Sequence, residues 1–137
     1  MKSRSESLIR LKKFQVDEHR RAVAQIEMMV ADFERMAGEL DQQIELEHNK
    51  TGITDATHFA YSTFAKAALT RRDNLLQSAD DMREKLETAQ DLLAESMEEL
   101  KKVETLNERE HQRAVAEETK AEQAEYDEIA RMRHMKR

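Results

Sequence analysis

Five histidines and adjacent acid pairs such as Asp80-Asp81 are the groups in this 137-residue chain that could carry chemistry. Imidazoles on one helix hold a metal when they stand three or four residues apart on one face. His19, His48, His58, His111 and His134 keep no such spacing, so no metal is expected. Asp80-Asp81, Glu98-Glu99 and Glu117-Glu118 would serve as general acid and base only if their carboxylates converged. Neighbouring helical residues diverge instead, and these pairs read as solvated faces. With only 2 Gly and no Cys, the chain has little from which to build a phosphate-cradling loop and nothing to supply a thiolate. Neither an enzyme nor a cofactor-binding protein is expected.

The elements that would have to position any functional group are helices. Ala, Glu, Lys, Leu and Arg supply 72 of the 137 residues, with no Pro to interrupt them, which is the composition of a coiled coil. A heptad register runs through the first segment, with a positions Ile9, Val16, Val23, Val30, Ala37 and Ile44 and d positions Lys12, His19, Ile26, Phe33 and Leu40. Disordered sequence rarely sustains such a repeat over five heptads. His19 reads as a polar seam residue that helps fix register. Ser3 and Glu6 have capping-box spacing, so helix one is expected over about 3–50. One glycine, Gly38, costs about 1 kcal/mol against Ala and is outvoted by its neighbours.

The break comes at Asn49-Lys50-Thr51-Gly52-Ile53-Thr54-Asp55. Gly52 suits a left-handed cap, and Thr54 or Asp55 can cap the next helix. The turn is therefore expected at about 51–55 and helix two at about 56–134. Helix two carries an apolar stripe through Leu75, Ala79, Met82, Leu86, Ala89, Leu93, Leu100 and Val103, which thins after Leu106.

Two such helices with a short connection fold back on each other, giving an all-α, antiparallel two-helix coiled-coil hairpin as a single unit. At about 1.5 Å per residue helix one spans roughly 70 Å and helix two roughly 115 Å. Pairing from the turn exhausts helix one near residue 104, where the stripe thins, leaving an overhang of about 30 residues. A hairpin offers no enclosed pocket in which to tune a catalytic pKa.

Charge is divided along the chain. Residues 1–21 carry +4, 131–137 carry +4, and the stretch between carries -14, for a net -6. An antiparallel hairpin brings Arg4, Arg10, Lys12, Lys13, Arg20 and Arg21 to the same pole as Arg131, Arg133, Lys136 and Arg137. Basic residues at the start of helix one oppose its own dipole, which favours a binding role. Nucleic acid and anionic membrane are not expected partners, because the acidic body repels both and the basic ends lack stacking aromatics. Three of the six aromatics, Phe59, Tyr61 and Phe64, lie just past the turn. One narrow seam cannot bury all three, so at least one is expected to be exposed for binding. No run of 18 apolar residues is present to span a bilayer, and the start lacks the apolar core of a signal peptide. A cytoplasmic location is expected.

Three stretches carry a family resemblance: Ser7-Leu8-Ile9-Arg10-Leu11-Lys12-Lys13, Tyr61-Ser62-Thr63-Phe64 and Glu125-Tyr126-Asp127-Glu128-Ile129-Ala130-Arg131. Asp127-Glu128-Ile129-Ala130-x-x-Arg133 is the most specific. Over essentially its whole length the chain resembles the FliJ family of the flagellar type III export apparatus. The resemblance implies a non-enzymatic, stalk-like coiled coil, monomeric when free and peripheral at the cytoplasmic face of the flagellar base. It implies that the paired ends enter the hexameric flagellar export ATPase ring through the basic end residues together with Asp127, Glu128, Ile129, Arg131 and Arg133. It also implies that Phe64, with Phe59 and Tyr61 beside it, contacts the membrane export gate protein. A dimeric coiled-coil scaffold, and an export chaperone that holds unfolded cargo on exposed Met and aromatic residues, are the alternatives.

Overall fold

A computed structural model of the chain describes residues 4–136, and these form two long helices with no strand among them. Helix α1 is Arg4–Thr51 and helix α2 is Thr63–Met135. They pack against each other as an all-α hairpin. The Ser3 side of the expected capping box and the basic residue Arg137 lie outside the described residues.

The heptad register explains what is covered. All eleven a and d positions of α1 are buried or half-buried, Val16, Ala37 and Ile44 most deeply. On α2 a covered stripe runs through Ala65, Ala68, Arg72, Leu75, Ala79, Met82, Leu86, Ala89, Leu93, Ser96, Leu100, Val103 and Asn107, in the alternating three-and-four spacing of a coiled-coil seam, with Leu69, Ser78 and Glu99 half-buried at its edges. The expected stripe thus extends ten residues further towards the bend, to Ala65, and includes three polar positions. Much of the deepest core is alanine, including Ala37, Ala65 and Ala79. Small residues there let the backbones approach closely, while most of the larger seam residues, Val16 and Ile44 apart, are only half-covered, as a two-helix interface dictates. Gly38 sits on an exposed face and α1 runs through it unbroken.

Contacts divide the chain into two compact units, Asp17–Glu95 and Met1–Val16 with Ser96–Arg137. In the first, Asp41 accepts from Arg72 (2.9 Å), Arg83 pairs with Glu34, and the bend closes the hairpin. In the second, Lys12 donates to Glu99 (3.0 Å) and Ser5 donates to Glu110 (3.3 Å).

The connection departs from expectation. α1 ends at Thr51, where Gly52 has φ 73° and donates to the His48 carbonyl at 2.8 Å, the bond of a left-handed glycine cap. But α2 begins at Thr63, not near residue 56. Asp55 does act as a cap, accepting from the Thr57 amide (2.9 Å) and hydroxyl (2.7 Å), yet the turn it closes does not propagate. Residues 55–61 instead make two successive tight turns, with His58 donating to the Asp55 carbonyl and Tyr61 to the His58 carbonyl. The true N-cap is Ser62, whose hydroxyl accepts from the Ala65 amide at 3.2 Å. A later start for α2 moves the end of pairing with it. α1 reaches the level of Glu110 and not residue 104, and every residue from 108 to 136 is exposed.

Candidate protein-binding surfaces

At the bend, sequence order and tertiary packing sort the three aromatics. Tyr61 is 9% exposed, and its hydroxyl lies 2.6 Å from Nε2 of His48 on the last turns of α1. Beside it, Ser62 donates to Glu47 at 2.9 Å while it caps α2. Two side chains of α1 thereby fix where α2 starts. Tyr61 belongs to this clasp and presents no free ring, unlike Phe59 and Phe64. Phe59 is 97% exposed and stacked on His58, with ring centroids 4.7 Å apart. Phe64 is 54% exposed on the first turn of α2. Hydrogen bonds from the Thr57 hydroxyl and then its amide hold the Asp55 carboxyl below the ordinary aspartate range.

Arg72, absent from the expected site and seam residues, occupies a seam position and stays half-buried. Hydrogen bonds to Asp41 and then Asp73 push its guanidinium pKa up. Running the α2 stripe back from Leu75 by three residues would have found it, because its aliphatic stem can cover the seam while its head reaches out.

The basic residues separate into three environments. Arg4, Arg10, Lys13, Arg133 and Lys136 are exposed and have no ion pair among the described residues. Lys12 is held at the seam by Glu99, so its charge is already partnered. Arg20 and Arg21 pair within α1 to Asp17 and Glu18 and belong to the Asp17–Glu95 unit. The described cations thus differ in their local partners, some held by carboxylates and others without one. From the level of Glu110 to Arg131, α2 rises by about 32 Å, so even within one unit Arg4 and Arg131 stand far apart.

What remains near the end of α2 is a helix with no intramolecular cover. Tyr126 is 69% exposed, Ile129 42%, Met132 55% and Met135 77%. Glu128 accepts from Arg131 at 2.6 Å, and Asp127 accepts from Gln123 at 3.1 Å. No group of three or more metal-ligating side chains occurs among the described residues, and no described helix is long and apolar enough to cross a membrane. Two surfaces therefore stand out: the bend with Phe59 and Phe64, and the bare end of α2.

The sequence profile of the flagellar FliJ protein matches residues 1–137. The chain belongs to the FliJ family. It is a component of the flagellar export apparatus, and the hairpin is the fold in which it presents its exposed groups. No individual curated protein and no solved structure matches the chain.

Proposed function

We propose that this FliJ-family chain is a stalk-like, non-enzymatic coupling rod that binds the hexameric export ATPase ring through the end of α2 and the membrane export gate protein through the bend. The observation that carries this reading is the run of exposed residues 108–136 on a helix that keeps its regular structure to Met135. In proteins most helical stability comes from packing one face against another surface, and this stretch has no intramolecular surface to pack on. Its apolar residues Tyr126, Ile129 and Met132, with Arg133 and Lys136 among them, suit an interface that combines apolar anchors with basic groups. Arg131 takes part while bound to Glu128, and Asp127 while bound to Gln123.

At the other surface, Phe59 and Phe64 offer apolar area to the gate, and Tyr61 acts by holding the bend that presents them. The rod itself hydrolyses nothing. As a stiff, asymmetric rod inserted into a ring, it biases subunit assembly and nucleotide turnover, and it reaches its place at the cytoplasmic face of the flagellar base through its protein partners. At low micromolar concentration the free chain is a monomer. The test is ATP hydrolysis by the cognate ring with and without this chain, repeated with residues 123–137 removed. Full-length chain should raise turnover and the truncated chain should not. Equal stimulation by both would remove the ring-insertion reading. Phe64→Ala should weaken gate binding and leave the ATPase effect intact.

A second reading, an export chaperone, is favoured by the exposed Met28, Met29, Met97 and Leu46 along the hairpin, since flexible Met side chains suit varied apolar cargo. Recovery of export substrates with the chain in the absence of the ring would support it.

A further inference from the structure

The exposed end of α2 has a face that is complementary to itself. Glu122, Tyr126, Ile129 and Arg133 follow one another at intervals of four, three and four, which places them on one side of the helix. Shallow hollows lie along this same face, one lined by Glu122, Glu125, Tyr126 and Ile129 and the other by Tyr126, Ile129, Ala130, Arg133 and His134. The order along the face is acid, two large apolar residues, base. Glu122 and Arg133 stand at equal distances on either side of the Tyr126–Ile129 centre. Neither has an ion pair among the described residues, whereas Arg131, on another side of the helix, is already held by Glu128.

We infer that this face pairs with the same face of a second copy of the chain, the two α2 ends lying antiparallel. Under a two-fold axis through the centre, each Tyr126 lies against the other copy's Ile129 and each Glu122 meets the other copy's Arg133. Lys136 of each copy comes level with Glu118 and Thr119 of the other, extending the same match of charge. A parallel pair would set Glu122 against Glu122 and Arg133 against Arg133, so the charges select the antiparallel one. The overlap from residue 118 to 136 spans about 28 Å. With only two large apolar residues per chain at its centre, the pair is of the weak, transient class that buries less than roughly 1,200 Å². It forms with a dissociation constant of about 0.1–1 mM, and it leaves the chain monomeric at low micromolar concentration. The inference does not rest on the ring reading. It means that a high local concentration of free chain would cover Tyr126 and Ile129.

Sedimentation equilibrium of the full chain, from about 10 µM to about 1 mM at low ionic strength, reads this directly. The wild-type chain should show a monomer–dimer equilibrium. Glu122→Arg and Arg133→Glu should each weaken it about tenfold, because each variant sets two like charges against each other in place of two opposite ones. An equimolar mixture of the two variants should restore it, since every contact in the mixed pair is again between opposite charges. Ile129→Lys should abolish association by removing the apolar centre. All four chains should keep the same helical circular dichroism, the altered side chains being exposed. A chain that stays monomeric to about 1 mM overturns the proposal and leaves the face to a different partner. Association that survives the single changes, or that the mixture does not restore, overturns it equally.

Discussion

Removing one oxygen atom from Tyr61 tests whether the bend is held by a side-chain clasp. In Tyr61→Phe the ring keeps its packing, the contact with the His48 ring included, and loses only the hydroxyl that lies 2.6 Å from His48 Nε2. A net hydrogen bond contributes about 1 kcal/mol, and a buried partner left unsatisfied adds to the loss. His48 is half-buried, so water can replace part of the lost partner and the expected cost is about 1–1.5 kcal/mol. His48→Ala should cost more, because it also removes the ring that stands 5.5 Å from that of Tyr61. The double variant isolates the pair. Urea unfolding followed by circular dichroism, analysed as a double-mutant cycle, should give a coupling of about 1 kcal/mol between the two sites. Additivity within about 0.3 kcal/mol would refute the clasp and leave Tyr61 as a packing residue alone.

Other expectations follow from the backbone and from the capping groups. Gly38→Ala should stabilise the hairpin by about 1 kcal/mol in the same urea assay, because a Cβ at this helical position meets nothing within 4 Å. Gly52→Ala should do the opposite, costing about 1–2 kcal/mol, because its φ of 73° is one that a side chain resists even in open space. Asp55 should titrate below the ordinary aspartate range in an NMR pH series, and Thr57→Ala should return it towards that range, since Thr57 supplies the leading hydrogen bond. The sign follows: a lowered folded pKa stabilises the turn above the unfolded value of about 3.9 and loses that contribution as pH falls through the folded one. Unchanged Asp55 titration in Thr57→Ala would show that the hydroxyl is not the cause.

The seam was legible because it is written in period. Ile9, Val16, Val23, Val30, Ala37 and Ile44 repeat at seven, and burial follows that repeat even through the polar Lys12 and His19. Gly52 was legible because a left-handed cap needs one residue type and no partner. The start of α2 was not. Asp55 makes local bonds that look like a helix cap from sequence, and what makes Ser62 the real cap includes a bond to Glu47, fifteen residues away. Moving the start from 56 to 63 is a shift of one heptad, so the phase of the stripe stayed right while the pairing level moved. That is why the expected end of pairing fell short of Glu110. The same long-range contacts hid the difference between Tyr61 and its neighbours. Only His48, thirteen residues back, takes Tyr61 into the bend and leaves Phe59 and Phe64 outside. For the basic residues, charge counting pooled cations with different local partners, since those of Lys12, Arg20 and Arg21 are set by heptad position and helical spacing.

On the proposed function, the export ATPase ring completes the bare end of α2. Amide hydrogen exchange of the full chain, with and without the cognate hexamer, tests it residue by residue. Free, the amides of 108–136 should exchange faster than those of the paired seam, because no packing opposes local opening. With the ring present they should slow by at least tenfold while exchange around Phe59 and Phe64 stays as it was. Protection confined to the bend, or none at all in 108–136, would show that the ring does not bind this end of α2.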